Sequence, residues 1–216
     1  MPRYDMIREK LSQGKMIERN KVVIAPTWRR HLRYKPGTIN EQPREYLLES
    51  RYYEYYSEIL NSDEMKSLSK KYEIVLIPHP EMLYRIDEFK VPGYIKIKTY
   101  KQLGTKKLYD LALEAKLFVT DFSSTAFDFA FLGANVVYFN FDAEDYYSDK
   151  QELYKSWFDI EKDGFGPSFQ EVGQLKKYII GDEWIRYQEN IDKVWHQIPD
   201  NSCELIYQNI KKIVRS

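Results

Sequence analysis

The sequence predicts an α/β fold: a Rossmann-like parallel sheet of about five strands with a helical C-terminal tail. Three observations predict it. Short apolar runs rich in β-formers alternate with segments of helical period, the pattern of a parallel sheet with right-handed crossovers. The stretch 116–147, KLFVTDFSSTAFDFAFLGANVVYFNFDAEDYY, reads strand, polar turn, buried helix, strand, polar turn. After Phe141 the patterns are mostly helical. A single Rossmann-like domain over 1–216 is expected, with 150–216 as a mostly helical extension.

The elements follow in order. Met1 to Asn20 reads as a lead-in and a helix ending near Gly14. Val22 to Ala25 is the first strand, and Trp28 to Pro43, basic and without period, is a loop. Glu45 to Leu60 is helical, since Leu47, Leu48, Tyr52, Tyr55, Tyr56 and Ile59 recur at three- and four-residue steps. Asp63, as N-cap, opens a helix to about Lys71. Ile74 to Ile77 and Tyr94 to Ile97 are strands two and three, and Lys106 to Lys116 is a helix. Leu117 to Thr120 is strand four, apolar enough to be buried on both faces. Ala126 to Leu132 is a mostly buried helix opened by a capping box of Thr125 with Asp128 and stopped by Gly133. Val136 to Phe141 is strand five. The segments 151–157, 172–180, 184–196 and 202–214 are helical, with Ile206, Ile210 and Ile213 along one face of the last.

Composition narrows the function classes. The 216 residues allow one sizeable core. Lys+Arg and Asp+Glu are both 33, and a zero balance argues against a general nucleic-acid binder. The one cysteine, Cys203, allows no internal disulfide and fits a reducing compartment. No apolar run approaches the ~18 residues of a membrane span, and no signal-peptide core opens the chain. His31, His79 and His196 are scattered, which gives no metal constellation, and no P-loop, GxSxG or GxGxxG occurs.

Candidate residues gather where strands end. Ser123, Ser124 and Thr125 follow strand four at a helix start, where N–H groups and hydroxyls can cradle a phosphate; a ligand-free capped helix is the other reading. Asp121 repels phosphate and is read as orienting that turn by accepting backbone N–H groups. His79, between Pro78 and Pro80 at the end of strand two, stands where ligands bind in open α/β sheets. Its imidazole can donate to a phosphate oxygen or protonate a leaving phosphate, or it is an ordinary turn histidine. Arg29, after strand one, offers a guanidinium fork to phosphate, or belongs to a solvated basic loop. Asp142, after strand five, suits ribose hydroxyls or caps a short helix. Gly166, in Gly164-Phe165-Gly166-Pro167, lets backbone approach a ligand or makes a turn. Lys98 to Gly104 is placed for backbone contacts to a base.

VTDFSSTAFDFAFLGANVVYFNFD resembles the TDxSS…FDxxxL…xxFxxxD signature of the CDP-glycerol glycerophosphotransferase family, the teichoic-acid and capsule polyol-phosphate transferases. Three other places agree: Ala25-Pro26-Thr27-Trp28-Arg29 with APTWR, Pro78-His79-Pro80 with the HP turn, and Pro2-Arg3-Tyr4-Asp5 with PRxD. The likeness covers roughly Met1 to Ile180. Where family members commonly carry Lys or Arg near the HP turn, Ile77 stands here.

The resemblance implies the C-terminal, donor-binding half of a GT-B fold. It implies attack of an acceptor hydroxyl on the β-phosphate of CDP-glycerol or CDP-ribitol, releasing CMP. His79 becomes the catalytic residue, and Arg29, Asp121, Ser123, Ser124, Thr125, Asp142 and Gly166 the substrate-binding set. No cofactor is implied, because the donor is nucleotide-activated. The expected partners are a CDP-activated polyol donor, a lipid-linked or polymer acceptor, and an upstream acceptor-side domain or partner chain. The expected location is cytoplasmic, or peripheral at the inner face of the membrane. Two other readings stand: a GT-B glycosyltransferase or epimerase using a UDP-sugar, and a non-catalytic nucleotide-binding remnant or scaffold.

Overall fold

The computed structural model describes residues 5, 17–32, 43–147, 157–195 and 201–215. The helix expected before Gly14, most of the loop expected over 28–43, all but Trp157 of the helix expected over 151–157, and His196 lie outside the described residues. Six parallel strands form one sheet in the order β3-β2-β1-β4-β5-β6. They are β1 (Lys21–Ala25), β2 (Glu73–Leu76), β3 (Ile95–Ile97), β4 (Ala115–Thr120), β5 (Asn135–Phe139) and β6 (Ser168–Phe169). The strand the sequence did not reveal is β6. Two residues behind Pro167 are too few for a period, yet Tyr138 N–H donates to Pro167 O at 2.9 Å and Asn140 N–H to Phe169 O at 3.0 Å.

The sheet is buried on both faces because its strands are apolar at every inner position. Alternate side chains serve opposite layers. Val22, Ile24, Ile74, Leu76, Leu117, Val119, Val137 and Phe139 face one core. That core is covered by α1 (Arg44–Leu48), α2 (Arg51–Leu60), α3 (Asp63–Leu68), the 3₁₀ segment Pro80–Phe89 and α8 (Val172–Gly181). Val23, Val75, Phe118, Val136 and Tyr138 face the other, under α4 (Tyr100–Glu114), α5 (Thr125–Phe131) and α9 (Gln188–Trp195). Short helices α6 (Ala143–Tyr146) and α7 (Ile160–Asp163) follow β5, and α10 (Ser202–Arg215) closes the chain.

Local chemistry sets the boundaries. The helix expected over 45–60 breaks at Ser50, whose hydroxyl accepts from Tyr53 N–H at 3.1 Å and starts α2 afresh. Ser62, not Asp63, caps α3. Helix α4 begins six residues before the expected Lys106, because Thr99 and Gln102 form a reciprocal capping box. Gly104, at φ 55°, kinks it. Thr125 and Asp128 do not form the expected box: Ser124 is the N-cap, and the Ser123 hydroxyl accepts from Thr125 N–H at 3.2 Å. Gly133, at φ 96°, stops α5 as expected. Its N–H bonds Ala130 O and Ala134 N–H bonds Phe129 O, the two bonds of a Schellman motif.

Gly166 is tied to packing rather than to a ligand. An added Cβ would stand 1.8 Å from Val136 O, so the glycine lets the chain entering β6 touch β5. Val136 is the second residue of β5, toward the amino end of the sheet and away from the carboxyl edge expected for the ligand. Gly166→Ala is expected to cost about 1–3 kcal/mol, because the clash is with backbone. Urea denaturation measures this, and an unchanged midpoint would show that β6 shifts at no cost.

Candidate functional site

The chain leaves β1 toward β2 and β3, then crosses back to β4, β5 and β6 on the other side. The order therefore reverses between β1 and β4, and ligands of open α/β sheets bind outside the carboxyl ends of the strands at such a point. The segments leaving those ends are Pro26-Thr27-Trp28-Arg29 and Asp121-Phe122-Ser123-Ser124. Thr120 Oγ1 donates to Ala25 O at 2.7 Å and holds the two ends together.

Arg29 does not reach out for phosphate. Its side chain is 1% exposed, and its guanidinium is spent on carboxylates. Nε and Nη2 grip Asp142 at 2.6 and 2.9 Å, and Nη1 meets Asp121 at 3.0 Å and Thr27 Oγ1 at 2.9 Å. Four aromatic rings pack around it, with Tyr146 closest at 4.9 Å to the ring centre. Burial opposes its charge, but Asp121 and Asp142 outweigh burial and hold its pKa above the ordinary arginine value. Asp142, expected at ribose hydroxyls or as a helix cap, instead grips Arg29, and its side chain makes no cap bond to α6.

Asp121 is fully buried and joins two loops. Its Oδ1 accepts from Thr27 N–H at 2.9 Å and Phe122 N–H at 2.7 Å, and its Oδ2 accepts from Tyr56 Oη at 3.4 Å. Burial pushes the Tyr56 phenol well above its usual pKa, which keeps it a donor. The segments after β1, β4 and β5 are thus locked around one guanidinium. Sequence reasoning placed all three polar residues at the sheet edge but did not pair them, since the partners lie 92 and 113 positions from Arg29.

What remains open toward solvent is the Ser123-Ser124 turn. Ser124 is exposed and its hydroxyl makes no cap bond. Among the described residues, the N–H groups of Ser123 and Ser124 have no acceptor. Thr125 Oγ1 lies 3.5 Å from the Tyr100 hydroxyl. Tyr100 stands in the 98–104 segment, which was expected to offer backbone contacts.

His79 caps the 3₁₀ segment after β2: its Nδ1 accepts from Glu81 N–H at 3.2 Å. That bond leaves the proton on Nε2 in the neutral ring. Half-burial depresses its pKa, against smaller opposing effects of Glu81 and Asp121. The last of these places it within electrostatic reach of the Asp121 turn.

Beside the turn lies a cavity of about 220 Å³, walled by Phe122, Ser123, Ser124, Tyr147, Trp157 and Phe158. A second, of about 280 Å³, shares Phe122, Tyr147 and Phe158 and adds the acidic residues Glu144, Asp159 and Glu161. Phe122 stacks on Tyr146 with ring centres 3.8 Å apart. The sequence's 19 Tyr and 11 Phe read as packing surface and did not single out these walls.

Fold and site define a doubly wound, Rossmann-like α/β protein with its polar cluster at the switch point. The chain belongs to the CDP-glycerol:poly(glycerophosphate) glycerophosphotransferase family, a family of transferases whose sequence model matches residues 1–210. It is 26% identical to the minor teichoic acid biosynthesis protein GgaB of Bacillus subtilis (strain 168), over 98% of this chain and 23% of that protein. It is 25% identical to the teichoic acid glycerol-phosphate primase of the same organism, over 87% of this chain and 45% of the primase. In structure it is similar to the wall teichoic acid polymerase TagF, with a TM-score of 0.61 and 20% identity, over 99% of this chain and 51% of that one. A TagF variant soaked with CDPG gives a TM-score of 0.56 at 19% identity, over 99% of this chain and 49% of that one. The chain thus spans from a quarter to about half of these relatives. Among the described residues, no helix is long and apolar enough to cross a membrane.

Proposed function

We propose that this chain is the donor-nucleotide-binding half of a glycerophosphotransferase of teichoic-acid or capsule synthesis, using CDP-glycerol or CDP-ribitol. The acceptor hydroxyl attacks the β-phosphate, the bond to the α-phosphate oxygen breaks, and CMP leaves. The observation that carries this reading is the Ser123-Ser124 turn, with two N–H groups unclaimed by any described residue at the switch point of the sheet. Those groups and the Ser124 hydroxyl face the diphosphate, where hydrogen bonds cost no reorganisation. The His79 Nε2–H donates to a phosphate oxygen and, when the ring is protonated, supplies the proton that CMP takes on leaving. Arg29 acts as a positioning residue: it fixes Asp121, and Asp121 fixes the turn. The aromatic cavity suits a base, and the neighbouring carboxylates suit ribose or polyol hydroxyls. The acceptor wall comes from a further domain or a partner chain, since the relatives are two to four times longer.

Calorimetric titration with CMP, CDP and UDP tests this reading. The chain is expected to bind CDP at micromolar to millimolar affinity, a ~4–8 kcal/mol interaction, and UDP more weakly. Ser124→Ala removes a donor to an anion, worth about 1.5–3 kcal/mol. CDP affinity is therefore expected to fall about ten- to a hundredfold. The fold should be unaffected, because that hydroxyl caps nothing. Equal CDP affinity in parent and variant would remove the turn from the site, and preference for UDP would favour a sugar-nucleotide enzyme.

A further inference from the structure

We propose that the lysine strip leading into α4 is a binding site for a base-free polyphosphodiester, the chain of polyol phosphates that carries the acceptor hydroxyl. This rests on the function proposed above, because each transfer of a polyol phosphate to a hydroxyl leaves a phosphodiester with one negative charge per repeat. The fifteen residues 95–109 hold five lysines and no acid, in a chain whose cations and anions both number 33. Lys98, Lys101, Lys106 and Lys107 are exposed. Glu73 holds Lys96, while the other four lysines make no ion pair among the described residues. Asp110 and Glu114 follow in the second half of α4, so the excess is confined to its first half and the residues before it.

The strip begins at the candidate site. Lys98 N–H donates to Leu76 O at 2.9 Å, which sets Lys98 beside the end of β2, where His79 follows three residues on. Tyr100, between Lys98 and Lys101, brings its hydroxyl to Thr125 at the Ser123-Ser124 turn. Lys106 and Lys107 lie beyond the kink at Gly104, about one and a half turns after Lys101. A chain whose terminal hydroxyl addresses a donor at the turn has these four cations within reach of its next repeats. The further domain holds the reacting end, and the strip holds the repeats behind it.

The composition of the strip selects among occupants. Lysine is a point charge on a flexible stem, suited to an irregular run of phosphates. Residues 95–109 contain no arginine and no exposed aromatic side chain, so they offer no platform on which nucleic-acid bases would stack. Ile97 is the one exposed large apolar side chain among them, too little to enter the acyl region of a bilayer. The remainder of a longer protein fits poorly for the same reasons: protein interfaces are depleted in lysine and enriched in aromatic residues, Met and Arg.

Fluorescence anisotropy of a labelled glycerol-phosphodiester oligomer of about ten repeats, with the full chain and no nucleotide, tests this. The parent is expected to bind at low salt, more tightly as the oligomer lengthens, and to release it as salt rises. Lys106→Gln with Lys107→Gln should weaken binding at least about fivefold and flatten the salt dependence. Lys66→Gln with Lys70→Gln removes the same charge from exposed positions at α3, over the other face of the sheet, and should leave binding unchanged. Circular dichroism confirms that the variants keep their helix content. Equal oligomer binding in the parent and the Lys106, Lys107 variant would overturn the proposal, as would equal losses in the two double variants. So would a dependence on Lys106 and Lys107 shown by phosphatidylglycerol vesicles or single-stranded RNA but not by the oligomer. CDP titration separates this from the donor reading, since CDP affinity should be equal in the parent and the Lys106, Lys107 variant. Oligomer binding through the strip without any CDP binding would keep the strip and overturn the donor reading.

Discussion

Arg29→Ala is expected to destabilise the chain by about 3–5 kcal/mol, because it removes one partner from a buried ion cluster and leaves the others charged. Asp121 is wholly buried, and both it and Asp142 bond this one guanidinium. After substitution Asp121 keeps only its N–H and phenol donors, and Asp142 loses both of its bonds to the guanidinium. The loss is a large share of the roughly 5–15 kcal/mol that holds a typical domain folded. Urea denaturation should show a much lower midpoint. The combined change Arg29→Met, Asp121→Asn and Asp142→Asn should recover a good part of it, since the uncompensated charges go together. A loss below about 1 kcal/mol for Arg29→Ala would mean that water reaches and solvates the carboxylates, as it does for surface pairs. Arg29→Ala is consequently a poor probe of phosphate binding: any loss of affinity would come with loss of the turn. Ser124, whose hydroxyl the fold does not use, separates the two effects.

What the sequence showed and what it hid divide along a physical line. Strands buried on both faces announce themselves as continuous apolar runs, so β1, β2, β4 and β5 were legible to within two or three residues. Gly133 was legible as a stop because few other residues tolerate its backbone conformation. The carboxyl-edge positions of His79, Arg29, Asp121, Ser124 and Asp142 followed from strand ends alone. The pairing of Arg29 was not legible. Its neighbours Arg30, Arg33 and Lys35 make the segment read as a solvated basic loop, and nothing local marks one cation among several as the buried one. Gly166 misled for a related reason. Glycine serves equally for approach to a ligand and for approach to another strand, and only the position of Val136 O decides. Tyr100 and Tyr146 were hidden among many tyrosines, because the contact of Tyr100 with Thr125 and the stack of Tyr146 on Phe122 are tertiary facts.

His79→Ala, in a protein complete with its acceptor-side half, is expected to lower transfer from CDP-glycerol by about 10²–10⁴-fold, the usual contribution of a positioned acid or base. CDP affinity should fall by no more than about ten- to a hundredfold, the worth of one donor to an anion, because the Ser123-Ser124 turn does not depend on the imidazole. The pH dependence carries the sharper information. Burial depresses the His79 pKa below its ordinary 6.5, so the free protein holds a neutral ring with its proton on Nε2. The charged form is the one penalised, so the stability His79 contributes is full above pH 6.5 and is lost as pH falls through the depressed folded value. The parent should therefore lose more stability on acidification than His79→Ala does. A bound diphosphate adds negative charge beside the ring and opposes burial, raising the pKa in the complex. Proton donation to CMP then gives a limb in kcat, falling as pH rises, at a higher pH than the matching limb in kcat/KM. Both limbs should vanish in His79→Ala. Transfer that keeps its rate and pH profile in that variant would move the proton donor elsewhere and leave His79 as the cap of the 3₁₀ segment that follows it.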